Sequence, residues 1–109
     1  MTDTAWPYLL LKDDFFESDR IKFIEEQGAP YIIFYLKLCL KTLKDGGNLT
    51  GFLNDDSEGF DFQALSELTN MPMETVTEAV QLLSKIGFIE SEEHDSCRLM
   101  AIKEVRYGR

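Results

Sequence analysis

The sequence predicts a mainly α domain with a small β-hairpin, of the α+β class and the winged helix-turn-helix type. The first observation is a stretch of 17 residues from Ala29 to Asp45 with proline only at its second position, as in a long helix. The second is a pair of amphipathic segments separated only by Met71-Pro72, which indicates a helix-turn-helix. The third is a pair of short apolar segments around a polar loop, where a winged domain has its hairpin. The predicted helices span 19–27, 29–45, 61–70 and 73–86, and the predicted hairpin strands span about 87–92 and 97–103.

The chain before the central helix predicts one strand and one helix. Tyr8–Lys12 is mostly apolar and predicts a short strand or an extended arm. Asp13-Asp14-Phe15-Phe16 then turns the chain, and Ser18 can cap the helix at 19–27 through its hydroxyl oxygen.

The predicted central helix begins and ends at residues suited to those positions. Pro30 fits the first turn, where its missing N–H would have no partner. Gly46 fits a left-handed C-cap, and Lys41 and Lys44 complement the dipole of the last turns. Leucines alternate with other residues over 36–41, as in a strand, but an unbroken stretch of 17 residues favours a helix because strands run to about 4–8.

The first turns of this helix are apolar on every side. Six consecutive apolar or aromatic residues run from Tyr31 to Leu36, whereas a surface helix carries an apolar stripe about 100° wide. We therefore expect the helix to be enclosed, with a subunit interface on one face. The predicted core is formed by Phe34, Leu36, Leu40, Leu65, Val80 and Leu83.

The rest of the chain completes a single predicted domain. Residues 48–53 suit a short strand and residues 54–59 an acidic loop. Asp61 can cap the next helix, and Gly87 suits the end of the last one. The predicted parts are an arm, strand and turn at 1–18, the short and central helices with the acidic loop at 19–60, the helix-turn-helix and wing at 61–103, and a basic tail at 104–109.

Composition limits the class of protein. At 109 residues with 44% hydrophobic content, the chain is long enough for one domain with its own core. It has no run of about 18 apolar residues, so we expect no membrane span. The first residues lack the basic start and apolar stretch of a signal peptide, so we expect a cytoplasmic protein. Cys39 and Cys97 have no disulfide-framework or metal-ligand spacing, so we expect free thiols.

The distribution of charge argues against binding to nucleic acid. The net charge is −9, and residues 54–95 hold eleven acids against Lys85 alone. Such a segment repels the phosphate backbone, whose neutralisation supplies most non-specific affinity for nucleic acid. Residues 96–109 instead carry four bases against one acid.

The sequence offers no catalytic or metal site, so we expect no enzyme activity, cofactor, metal or small-molecule ligand. Residues 54–59 match early positions of an EF-hand calcium loop, but Leu65 stands where the bidentate glutamate is required. His94 lies at the predicted hairpin tip, which provides neither a cleft nor an orienting partner for a general base.

The predicted helix-turn-helix raises the question of DNA binding, because the second helix of such a unit enters the major groove. Thr77 and Gln81 can contact base edges, but phosphate contacts need Lys or Arg, and Lys85 is the only one on this helix. The central helix has a lysine stripe at i, i+4 and i+7, which suits solvent or an acidic partner. The candidate contacts for DNA or an acidic partner are Lys37, Lys41, Lys44, Thr77, Gln81 and Lys103.

Three segments carry a resemblance to a known family, and they are Tyr8-Leu-Leu-Leu-Lys-Asp-Asp-Phe-Phe, Arg20-Ile-Lys-Phe-Ile and Tyr31-Ile-Ile-Phe-Tyr-Leu-Lys-Leu-Cys-Leu-Lys-Thr-Leu-Lys. They resemble the N-terminal domain of phage replisome organisers, a family related to the DnaD-like replication-initiation proteins of Gram-positive bacteria and their phages. The resemblance spans roughly residues 8–105.

The resemblance implies a winged helix that helps to assemble the replication machinery at an origin, in the cytoplasm of a bacterium or a phage-infected host. In the DnaD-like relatives this part carries self-association, while DNA and helicase contacts lie largely in a C-terminal region. We therefore expect a scaffold and oligomerisation module that forms a homo-oligomer, has a helicase or loader as partner, and reaches DNA through a region outside this chain. The alternative is a sequence-specific DNA-binding winged helix, either an origin binder or a transcription regulator.

We expect self-association to use four aromatic residues. Trp6 and Tyr8 lie in the N-terminal arm, and aromatic side chains are enriched at interface cores. Such an arm can cross a two-fold axis and pack beside Tyr31 or Tyr35 of a second copy.

Overall fold

The chain is mainly helical, as the sequence predicts. A computed structural model describes residues 8–42, 49, 52, 60–92, 96–99 and 105–108, with the backbone alone beyond Ile89. Its elements are β1 (Tyr8–Leu11), a 3₁₀ turn (Phe15–Glu17), α1 (Asp19–Gln27), α2 (Ala29–Lys41), α3 (Phe62–Thr69), α4 (Met73–Lys85), β2 (Ile89–Glu92), β3 (Ser96–Leu99) and β4 (Val105–Gly108).

The strands form two antiparallel pairs. β2 and β3 form the expected hairpin, with Ile89 opposite Leu99. β1 pairs with β4, and Tyr8 lies opposite Gly108. β4 lies within the predicted basic tail at 104–109. Its strand conformation depends on a partner almost a hundred residues away along the chain, which no local pattern reveals.

A glycine joins α1 directly to α2. Gly28 has a φ of 146°, which side-chain-bearing residues rarely adopt. A Cβ atom there would also lie 3.1 Å from Cε2 of Tyr31. Both observations favour glycine at this position and explain why α1 ends at Gln27, as predicted.

α2 ends earlier than predicted. Its last residue is Lys41, and the Thr42 hydroxyl donates to the carbonyl of Leu38 at 2.7 Å. The N–H of Thr42 donates to the same carbonyl at 3.0 Å, so the backbone and the side chain of this C-cap residue both bond to the last turn of α2. The prediction that the helix continues to residue 45 is therefore wrong at Thr42, which is the C-cap. Gly46, the predicted cap, lies outside the described residues.

The predicted strand at 48–53 is also wrong at Leu49 and Phe52, the two of its residues that the structure describes. The N–H of Phe52 donates to the carbonyl of Leu49 at 2.9 Å, which is a turn contact. An amide held in such a local bond is not offered to a neighbouring strand. The acidic loop at 54–59 lies outside the described residues.

α3 and α4 begin and end close to the predicted positions. Asp61 caps α3, since its Oδ1 accepts from the N–H of Ala64 at 3.1 Å. Asn70 ends that helix in the left-handed conformation with a φ of 56°. Gly87 follows α4 with a φ of 84°, which places the hairpin directly after it.

The core is built around α2, which packs against α1, α3, α4 and β1. Among the predicted core residues, Phe34, Leu65, Val80 and Leu83 are buried and Leu36 is half-buried. The prediction for Leu40 was wrong, because 53% of its surface is exposed. In the described part of the chain, no helix combines the length and the apolar character needed to cross a membrane.

Two leucines of α2 provide a matched test of this packing. Leu38 is fully buried and Leu40 is exposed. Leu38→Ala should lower the free energy of unfolding by about 2–5 kcal/mol, because it leaves a cavity in the core. Leu40→Ala should change it by less than about 0.5 kcal/mol. Urea denaturation of the two variants measures both values, and equal losses would contradict this orientation of α2.

Candidate interaction surface

One face of α2 remains apolar and uncovered. Ile33 and Leu40 are 48% and 53% exposed, and Leu36 between them is half-buried. Residues at i, i+3 and i+7 lie on one side of a helix. We call Ile33, Leu36 and Leu40 the α2 face. It lies on the side of α2 opposite Phe34, Tyr35 and Leu38, which with Ile32 and Cys39 form the buried arc of the helix.

Further exposed apolar side chains lie on other elements of the described chain. They are Tyr8, Leu10 and Leu11 on β1, Phe16 in the 3₁₀ turn, Phe23 on α1 and Met73 on α4. β1 packs beside α2. Since single exposed apolar residues are common on proteins, the stripe along α2 is the more informative feature.

The four residues expected to carry self-association have different surroundings. Tyr8 is exposed on β1, and Tyr31 is half-buried. Tyr35 has 0% exposed surface and its ring centroid lies 5.0 Å from that of Phe88. It therefore has no surface to offer a second chain in this conformation. Trp6 lies outside the described residues.

Tyr31 links the start of α2 to α4. Its O–H donates to Oε1 of Glu78 at 2.7 Å. This hydrogen bond is the main cause that raises the pKa of Tyr31 above the ordinary 10.0, followed by partial burial and by the negative charges of Glu78 and Glu74. The phenol therefore stays protonated and keeps its bond over the physiological range.

The lysines of the predicted stripe on α2 have different surroundings. Nζ of Lys37 donates to the carbonyl of Thr69 at 2.7 Å, at the end of α3. A lysine there satisfies a terminal carbonyl and complements the helix dipole. Lys41 is exposed. Lys44 and Lys103 lie outside the described residues.

The exposed side of α4 carries acids beside the two candidate base contacts. The Thr77 hydroxyl donates to the carbonyl of Met73 at 2.8 Å, within its own helix. Gln81 is exposed, and so are Glu74 and Glu78. A phosphate backbone approaching this side would meet negative charge on α4.

Residues 54–59, which match part of a calcium loop, and His94 lie outside the described residues. Within the described residues, no group of three or more His, Cys, Asp and Glu side chains is arranged to hold a metal ion.

Sequence reasoning missed the α2 face, although it placed an interface somewhere on this helix. The signal was present in the spacing of the lysines. Lys37 lies four residues after Ile33 and three residues before Leu40, so the three share one side of the helix. That spacing places Ile33 and Leu40 toward solvent and leaves Tyr35 inside.

A comparison with protein families confirms the resemblance. The model of the family described as N-terminal phage replisome organiser matches residues 8–106. The match includes all four helices, the β2–β3 hairpin and β1. No curated protein and no solved structure matches the chain.

The Tyr31–Glu78 bond predicts a pH dependence. Because the folded state raises the pKa of Tyr31, the stabilisation is fully present below pH about 10 and is lost as pH rises through the raised value. Glu78→Gln should shift the Tyr31 step in phenolate absorbance to lower pH, and Tyr31→Phe should remove that step. Glu67→Gln, an exposed acid on α3, is the control and should leave it unmoved. A Tyr31 step insensitive to Glu78→Gln would contradict the link.

Proposed function

We infer the function of this chain from the premise that it belongs to the N-terminal phage replisome organiser family. The family points to a role in DNA replication. We propose that the chain is a scaffold module in replication initiation, which holds copies of itself together and presents them to other replication proteins. We assign it no catalytic step.

The observation that carries this proposal is the α2 face. α2 is the helix on which the core is built, yet Ile33 and Leu40 remain about half exposed. Covering such a stripe with another protein removes apolar surface from water, which is the main driving force of association. Tyr8 on β1 is a further exposed aromatic residue near α2, and we retain it with Trp6 and Tyr31 as candidate contacts.

The winged helix-turn-helix assignment forms part of the proposal. α3, a short turn, α4 and the β2–β3 hairpin follow one another in the order of that motif. In this assignment α4 corresponds to the helix that enters a DNA groove in other members of the motif class. Its exposed Glu74 and Glu78 favour a protein partner over a phosphate backbone.

The negative charge on α4 favours proteins as partners. We propose a second copy of the chain and a replication protein such as a helicase or its loader. DNA is reached through a region outside this chain. The alternative function, sequence-specific duplex binding by an origin binder or a transcription regulator, would use Gln81 and Thr77 on α4.

The same sample can test both functions. At micromolar concentration, sedimentation should show a mass above that of the 12.6 kDa monomer. Duplex DNA at physiological salt should not be retained, because α4 presents acids. A salt-sensitive, sub-micromolar duplex affinity that Thr77→Ala with Gln81→Ala abolishes, and that Gln63→Ala on α3 leaves unchanged, would contradict the scaffold proposal and favour the alternative.

A further inference from the structure

We propose that β1 and β4 form a releasable clasp, in which β4 separates from β1 while the helices α1 to α4 stay folded. We call residues 8–11 and 105–108 the β1–β4 clasp. It joins two segments that lie almost a hundred residues apart along the chain. The inference concerns a conformational change within one copy, so it goes beyond the scaffold function proposed above and does not depend on self-association.

β1 is anchored to the core by one side chain. Leu9 is half-buried and packs against the buried residues of the core. The other three residues of this strand, Tyr8, Leu10 and Leu11, are exposed. Because burial of apolar surface is the main favourable term in folding, β1 contributes little to the stability of the core and gains little from it.

β4 is held mainly by β1. The antiparallel register runs from Tyr8 opposite Gly108 to Leu11 opposite Val105. Among the described elements, β1 is the main contact of β4, and β4 makes no comparable contact with a helix. A pair of strands by itself is marginally stable in water at best. The clasp therefore closes with only a small free energy.

The helical core has its own contacts, which opening of the clasp leaves in place. Phe34 and Leu38 on α2 are fully buried, and so are Val76 and Leu83 on α4. α2 packs directly against α1, α3 and α4. Elements with few buried contacts open locally at a free energy far below that of global unfolding. The clasp fits that description, and α2 does not.

Opening changes what β1 presents to its surroundings. In the closed clasp, β4 pairs with the backbone groups along one edge of β1. In the open clasp that edge is free, beside the exposed side chains of Tyr8, Leu10 and Leu11. A free edge with apolar side chains can pair with another strand. β4 thus covers an edge of its own chain, and its release uncovers that edge.

Hydrogen exchange of the unaltered chain tests the opening directly, when nuclear magnetic resonance follows each amide. Amides bonded across the clasp should be protected, yet should exchange at least about a hundredfold faster than those of Phe34 and Leu38. Low concentrations of urea should speed exchange in α2 and hardly change it in the clasp, since local opening exposes little surface. Clasp amides with the rate and urea dependence of α2 would overturn the inference.

A cross-link that holds the clasp closed tests whether separation of the two strands causes this exchange. Leu10 and Arg106 lie opposite each other, and opposite residues of an antiparallel pair are about 4.5–5.5 Å apart at Cα, which a disulfide can span. In Leu10→Cys with Arg106→Cys, the oxidised chain should slow clasp exchange to the rate of α2. The reduced form of the same variant is the control and should exchange like the unaltered chain. Fast clasp exchange in the oxidised form would contradict separation of the strands.

A variant that cannot close the clasp tests whether the helices stand without it. Adjacent residues of a strand alternate in bonding to their neighbour, so Arg106→Pro with Tyr107→Pro removes an N–H that β1 needs. β1 should lose its protection, while helical circular dichroism and a cooperative urea transition should remain. Arg106→Ala with Tyr107→Ala is the control, since it shortens the same side chains and keeps both N–H groups. Unfolded helices in the proline variant beside a folded control would show that the clasp is part of the core and overturn the inference.

Discussion

The structure depends on covering the buried arc of α2. Phe34, Tyr35 and Leu38 are fully buried, and they contact a core formed with the other helices. A helix with this much apolar surface cannot remain in water, so α1, α3, α4 and β1 all pack against it. Tyr35 extends this contact to the start of the hairpin through Phe88, whose ring also lies 4.8 Å from the Arg20 guanidinium carbon.

Polar bonds orient α2 once this arc is covered. The Tyr31 phenol binds Glu78 on α4, and the Lys37 ammonium binds the last carbonyl of α3. Both bonds lie beside the buried arc, and Ile33 and Leu40 remain about half exposed. The same packing that buries most of α2 thus determines which of its apolar residues remain exposed.

The sequence predicted several features that depend on local chemistry, although the expected cap by the Ser18 hydroxyl was wrong, because that side chain makes no capping hydrogen bond to α1. α1 ends before Gly28 and α3 begins after Asp61, because a positive φ and a capping carboxylate act within a few residues. The family was also predictable, from the aromatic-rich central helix and the segment before it.

The features that depend on distant contacts were not predictable in the same way. β4 forms only against β1, so its own residues gave no decisive pattern. The rotation of α2 was the harder problem, because six consecutive apolar residues provide no polar side to fix it. Leu40 was therefore placed in the core and Tyr35 on the surface, although the structure shows the reverse.

The central claim is that α2 both organises the core and joins two copies through its remaining face. A mixture of isotope-labelled and unlabelled chains, examined by filtered nuclear Overhauser spectroscopy, tests it directly. The filter retains only contacts between a labelled and an unlabelled copy. The account predicts cross-peaks between the copies at the methyl groups of Ile33 and Leu40. A self-associated sample that lacks this cross-peak and shows contacts between copies through other residues would contradict it.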